Sequence, residues 1–236
     1  MTTLPLPGRA PSGLGFRPDG TLLISSTEDR QVLRYDGDVI ELVADLRDVV
    51  PANLGDMVVD DAGRAFVGSQ CRTEGVIARI DLDDTVAVVA GDLDFPNGMV
   101  ITPDQRTLIV AESTGRRLTA FTIGADGALG DRRVFADGLE GPPDGIALDA
   151  DGGIWTAMTL AHEFQRIVEG GAVTHRVDMA GRTAIACALG GPENRTLFLL
   201  SSTDAYPERL VGTKLSRVDA LIVDVPGIGP IPTHHH

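Results

Sequence analysis

A nine-residue phrase returns five times along this chain, and that recurrence constrains the fold more than any other feature. The copies run Ser12–Gly20, Gly55–Gly63, Asn97–Gln105, Asp144–Gly152 and Ile185–Glu193, the last being the weakest. Their starts lie 43, 42, 47 and 41 residues apart. A period of about 40–45 residues with several short strands per unit is the mark of a β-propeller blade. The reading is therefore all-β: a β-propeller of four-stranded antiparallel blades, five of them visible. Residues 1–230 form a single domain in this reading, and 231–236 a tail.

Each unit predicts the same elements. An inner strand follows the start of the phrase (14–16, 57–59, 99–101, 146–148, 187–189), and an Asp- and Gly-rich turn reverses the chain. A second strand returns (21–25, 65–68, 107–111, 154–157, 196–200). A polar loop and two more strands complete the blade, as in Gln31–Tyr35 followed by Ile40–Val43. The last unit has no outer strand of its own, and Thr2–Leu6 could supply it, although Pro5 limits pairing there. No segment carries a helical period over three turns.

In such a blade, the lead-in to the inner strand and the loop between strands two and three share one end of the toroid. That geometry nominates Ser12, Asn53, Asp56, Asn97, Asp144 and Thr183 from the lead-ins. From the loops it nominates Glu28, Gln70, Arg72, Glu74, Glu112, Arg116, His162 and Glu163, with Tyr206 in the last unit.

A formal net charge of −14 argues against nucleic acid and anionic membrane as partners, since both need a positive patch. No apolar stretch approaches the length of a membrane span, and the N-terminus has no signal pattern. Cys71 and Cys187 have no metal-like spacing, so a reducing cytoplasm fits them better than a disulfide framework. With His234–His236 set aside as a tag remnant, His162 and His175 are the only histidines, too few for a His-rich zinc site. The expected partner is a small molecule, and the expected state a monomer or homodimer.

Phe95-Pro-Asn-Gly-Met99, Gly141-Pro-Pro-Asp-Gly145, Leu108–Glu112 and Arg132–Ala136 together resemble the SMP-30/gluconolactonase/luciferin-regenerating family. The likeness runs from about Pro11 to Pro226. It implies a propeller, six-bladed as a rule in that family, with a divalent cation on its axis and lactone hydrolysis as the chemistry. Asn97 and Asp144 match two of the family's metal ligands, and Asp144 also matches its catalytic base. Asp56 matches an acidic position beside the substrate that is usually preceded by Asn, where this chain has Gly55. The family's first blade and its Glu ligand have no counterpart here.

A hard cation such as Ca²⁺ or Mg²⁺, or else Mn²⁺ or Zn²⁺, would find two oxygen donors in Asn97 and Asp144. Glu28, Glu112 or Asp56 could stand in for the missing Glu. Asn53, Asp56, Arg72, Glu112 and Arg116 are candidates for holding substrate, the arginines by clamping an anionic group. His162 could act as a base, because its proton leaves near neutrality. Each has a plainer reading: Asn97 a turn residue before Gly98, Asp144 a cap, His162 and the arginines solvated loop positions. Three functions stay open: a metal-assisted lactonase, a metal-independent cyclase, isomerase or lyase, and a non-catalytic binding propeller.

Overall fold

The computed structural model describes residues 4–204, 209 and 212–229. It is all-β, with five sheets built from strands consecutive in sequence. The first holds β1 (Pro11–Phe16), β2 (Leu22–Ser26), β3 (Gln31–Tyr35) and β4 (Ile40–Asp45). The second holds β5 (Leu54–Val59), β6 (Ala65–Ser69), β7 (Gly75–Ile80) and β8 (Val86–Leu93). The third holds β9 (Pro96–Ile101), β10 (Thr107–Glu112), β11 (Arg117–Ile123) and β12 (Leu129–Ala136). In the fourth are β13 (Pro143–Leu148), β14 (Ile154–Met158), β15 (Glu163–Ile167) and β16 (Val173–Asp178). The fifth has three described strands, β17 (Thr183–Gly190), β18 (Thr196–Ser202) and β19 (Arg217–Ile222). This is the five-blade β-propeller topology that the period predicts. No helix among the described residues is long and apolar enough to cross a membrane.

The inner strands begin earlier than the sequence suggests. Pro11 pairs with Ser26, Leu54 with Ser69, Pro143 with Met158 and Thr183 with Ser202, each ahead of a break in register. The phrase therefore opens on a β-bulge inside the strand and not on a loop before it. Extra residues at 12–13, 55–56 and 144–145 kink the strand and re-aim its side chains.

Packing groups the chain into two compact units, Met1–Asn97 with Thr122–Gly130, and Gly98–Phe121 with Asp131–His236. In the first unit Leu23, Val32 and Ala44 interleave with Met57, Ala65, Val67 and Ala78. The hairpin tip 122–130 is held there by Arg64, which donates to the Ala125 carbonyl, and by Arg79, which donates to that of Asp126. In the second unit Ile109, Leu118 and Ala120 meet Ile146, Leu148 and Ile154, and Trp155 and Phe164 meet Ala184, Leu197 and Leu199. The bulge glycines allow this closeness. A Cβ on Gly13 would lie 2.3 Å from the Met57 nitrogen, and one on Gly98 2.5 Å from the Asp144 carbonyl oxygen.

Two expectations change. Leu4–Leu6 form no strand; Pro5, Leu6, Pro7 and Arg9 line a groove with Leu33 and Ile40–Leu42 of the first sheet, and Thr2 and Thr3 lie outside the described residues. Prolines cannot donate to a ladder, and Arg9 is tied to Asp29 at 3.0 Å. Glu112 is the second. It is fully buried, bound by Arg117 through both oxygens at 2.9 and 2.7 Å, by Arg132 at 3.2 Å and by the Thr119 hydroxyl. A carboxylate so engaged is a strut of the third sheet and is not open to a metal or substrate.

Phe66 is fully buried whereas Phe16 is 68% exposed. Phe66→Ala should cost about 3–5 kcal/mol in urea unfolding, and Phe16→Ala less than about 1 kcal/mol. Equal losses would contradict the packing. Glu112→Gln should cost about 1.5–3 kcal/mol, since Arg117 and Arg132 are only partly buried and can turn to water.

Candidate functional site

The sequence brings one side chain of each copy to the first bulge position: Ser12, Gly55, Asn97, Asp144 and Ile185. In the first unit the second copy is the informative one, because Gly55 contributes nothing of its own. Its space is taken by the Gln70 side chain. A Cβ on Gly55 would lie 2.6 Å from the Gln70 Nε2 and 2.9 Å from its Cδ and Cγ. From there Gln70 donates through Nε2 to the Asn97 Oδ1, 3.5 Å away. Asn97 is buried.

Gln70 is anchored by its backbone, whose N–H donates to the Asn53 carbonyl at 2.8 Å. The same bond recurs from Thr27 to Ala10 and from Thr159 to Pro142, so the three residues are equivalent. Only the glutamine is long enough to reach back across the bulge. Arg30, Pro51, Ala52, Asn53, Gln70 and Phe95 line an open cavity of about 430 Å³. Arg30 is held by the Val50 carbonyl at 3.2 Å, and Phe95 turns the chain with a φ of 63°.

Asp56 follows Gly55 at the second position of the phrase, where three other copies carry Gly13, Gly98 and Gly145 and the fifth carries Ala186. Protein walls in its carboxyl, and the loss of hydration pushes its pKa up. It stays half-exposed by surface.

The second unit carries Asp144, half-buried at the head of β13. Gly145 beside it presses on the fifth sheet, where a Cβ would meet the Ala186 Cα at 2.7 Å. Cys187 lies close by, and its thiol donates to the Trp155 carbonyl at 3.3 Å. Burial first, and the charge of Asp144 second, raise the Cys187 pKa far above the ordinary thiol range. That thiol is a packing group and not a nucleophile. His162 is half-buried in a left-handed turn, φ 58°, with its Nδ1 lacking a hydrogen-bond partner. Its carbonyl accepts from Met179.

Asn53, Gln70 and Asn97 are thus brought together in one unit, with Asp56 next to Gly55, while Asp144 and His162 belong to the other. Arg72, Arg116 and Glu28 are exposed. Tyr206 lies outside the described residues. Among the described residues no three His, Cys, Asp or Glu side chains cluster as a metal site. Gln70 was visible in the sequence as one loop residue among many. The signal that singles it out is the Gly at the first position of its own copy.

Relatives give this arrangement a context. The chain is 29% identical to a 6-deoxy-6-sulfogluconolactonase of Pseudomonas putida, over 96% of this chain and 81% of that protein. It is 28% identical to the pentonolactonase XacC of Haloferax volcanii, over 81% of this chain and 67% of that one. The calcium-binding protein regucalcin of Agrobacterium tumefaciens superposes with a TM-score of 0.78 at 25% identity, covering 96% of this chain and 80% of the other. A luciferin-regenerating enzyme superposes equally well, TM-score 0.78, over 94% of this chain and 81% of its own, at 17% identity, a likeness of fold alone. Residues 1–203 match the SMP-30/Gluconolactonase/LRE-like region, and the chain belongs to that family.

Proposed function

We propose that this protein is a hydrolase that opens a small, hydroxylated lactone. The observation that carries the reading is one repeat position, the first of the phrase, which bears an oxygen-carrying side chain in three of the five copies, Ser12, Asn97 and Asp144, the last two an amide and a carboxylate. Support also comes from the two lactonases to which the chain is similar over most of its length.

In this reading Asp144 accepts a proton from the attacking water, whose oxygen adds to the lactone carbonyl carbon. The tetrahedral intermediate then expels the ring oxygen, which takes up a proton, and the product is the open hydroxy acid. Asp56 keeps its proton to higher pH than an ordinary aspartate. It can therefore donate a hydrogen bond to a substrate oxygen under conditions where a solvated carboxyl could not. Asn53 and the cavity around it suit the substrate's hydroxyls.

The Asn97 amide oxygen and the Asp144 carboxylate are hard donors, suited to a cation that keeps most of its waters. Ca²⁺, Mg²⁺, Mn²⁺ or Zn²⁺ held at such a donor would polarise the lactone carbonyl and ease ionisation of water. So few protein ligands make that binding weak, and Glu112 cannot add another.

Three measurements test this. In a pH-stat assay on aldonolactones, Asp144→Asn should lower kcat/KM about 10²–10⁴-fold without loss of stability. Absence of lactone opening by the unsubstituted protein, with each of the four cations supplied, would remove the proposal. For Asp56 the sign is set by its raised pKa. Between the unfolded value and the folded one, the folded state binds more protons, so stability falls as pH rises through that window. Asp56→Asn should therefore stabilise the protein at pH 7, with the gain shrinking as pH falls from the raised folded pKa toward the ordinary aspartate value of about 4, below which it is gone. A gain that does not vary with pH would contradict a desolvated carboxyl.

A further inference from the structure

The geometry assigns to Gln70 a positioning role: it supplies, from the loop after β6, the side chain that the bulge lacks at Gly55, and it orients the Asn97 amide for the lactone site. This rests on the reading just given and adds to it a residue that holds the site in register. Three observations converge on it. At the first bulge position Asn97 and Asp144 carry polar side chains, while Gly55 carries none. The Gln70 amide occupies the volume where a Cβ at position 55 would stand. Its Nε2 then reaches the Asn97 Oδ1.

Gly55 needs no glycine for its backbone, since it is absent from the residues of positive φ. The three atoms nearest to a Cβ there all belong to the Gln70 side chain. The two positions are therefore one device: a glycine that leaves room, and a long amide that fills it. Thr27 and Thr159, at the equivalent loop position, are too short for this reach.

The donated hydrogen bond fixes which face of the Asn97 amide looks toward Gln70, and so where its second oxygen lone pair and its NH₂ point. Without that donor the Asn97 oxygen loses a contact that holds it in place. Loss of Gln70 should then lower turnover more than substrate affinity, because the substrate does not bind to Gln70 itself.

The test is a cycle of Gly55→Ala, Gln70→Ala and their combination, with Gln70→Glu as the isosteric control. Two readouts are taken: kcat and KM on the lactone, and the ¹⁵N-edited side-chain amide signals of Asn97, assigned by their disappearance in Asn97→Asp. Gln70→Ala should lower kcat about tenfold, the size of one lost hydrogen bond, with KM within about twofold. It should also shift the Asn97 signals. Gly55→Ala should reproduce both effects in the native background and add nothing to Gln70→Ala, where the space is already vacant. Gln70→Glu keeps the bulk and loses the donor, so it should behave as Gln70→Ala.

Equal effects of Gly55→Ala in both backgrounds, full activity in Gln70→Glu, or unmoved Asn97 signals would each overturn the assignment. The resonance arm needs no turnover. If the unsubstituted protein opens no lactone, the functional reading fails while the placement of Gln70 is still decided by the spectra.

Discussion

The bulge at the head of the inner strands is the constraint on which the rest of this structure depends. A regular strand would send successive side chains to opposite faces, committing each residue of the phrase to one neighbouring sheet or the other. An inserted residue breaks that alternation just where the strand begins. The strand can keep its pairing partner ahead of the break, as Pro143 does with Met158, while the bulged residues turn out of the pleat. One local irregularity thus serves both ends: the blade stays hydrogen-bonded along its length, and a polar side chain is freed from the ladder.

The second bulge residue shows what this arrangement costs. Gly13, Gly98 and Gly145 press on the backbone of the following sheet at distances that no Cβ could share. Close approach at that point lets small neighbours such as Ala186 fit, and it excludes water from the polar groups nearby. Asp56 breaks the pattern, placing a carboxyl where three other copies have hydrogen and the fifth only the methyl of Ala186. Its raised pKa is the electrostatic consequence, since a charge there gives up hydration without gaining a partner that lowers it. A group destabilised in its charged form at neutral pH is what a site retains for chemistry and not for stability.

How much of this was legible in the sequence follows from which interactions are periodic. The period of the phrase exposed the five sheets and the order of their strands, because every unit must bury the same face against its neighbours. The bulge was not legible: Asp-Gly and Asn-Gly read as turn residues, and a bulge uses the same residue types for the same backbone freedom. Glu112 followed the loop geometry in sequence but ends a strand, where Arg117, Thr119 and Arg132 surround it. Arginines five and twenty residues away fix its role, and nothing in the local pattern reports them. Gln70, nominated with the other loop residues, was not singled out among them for the opposite reason. Its own surroundings are ordinary, and its importance lies in what is missing at position 55.

That last case bears on how repeat proteins change their sites. A repeat position is filled either by its own side chain or by a longer one reaching in from an equivalent loop, and the two solutions differ by which residue stays small. Gly55 with Gln70 is the second solution. The loop residue brings with it an extra degree of control, since its backbone is already fixed to Asn53 and only the side chain needs to span the gap. Side-chain entropy opposes that span, at up to about 2 kcal/mol for a glutamine. The hydrogen bond to Asn97 and contact with the Gly55 backbone must offset it. Because the donor is neutral, this adjustment leaves the charge of the site unaltered and places Asn97 by geometry alone.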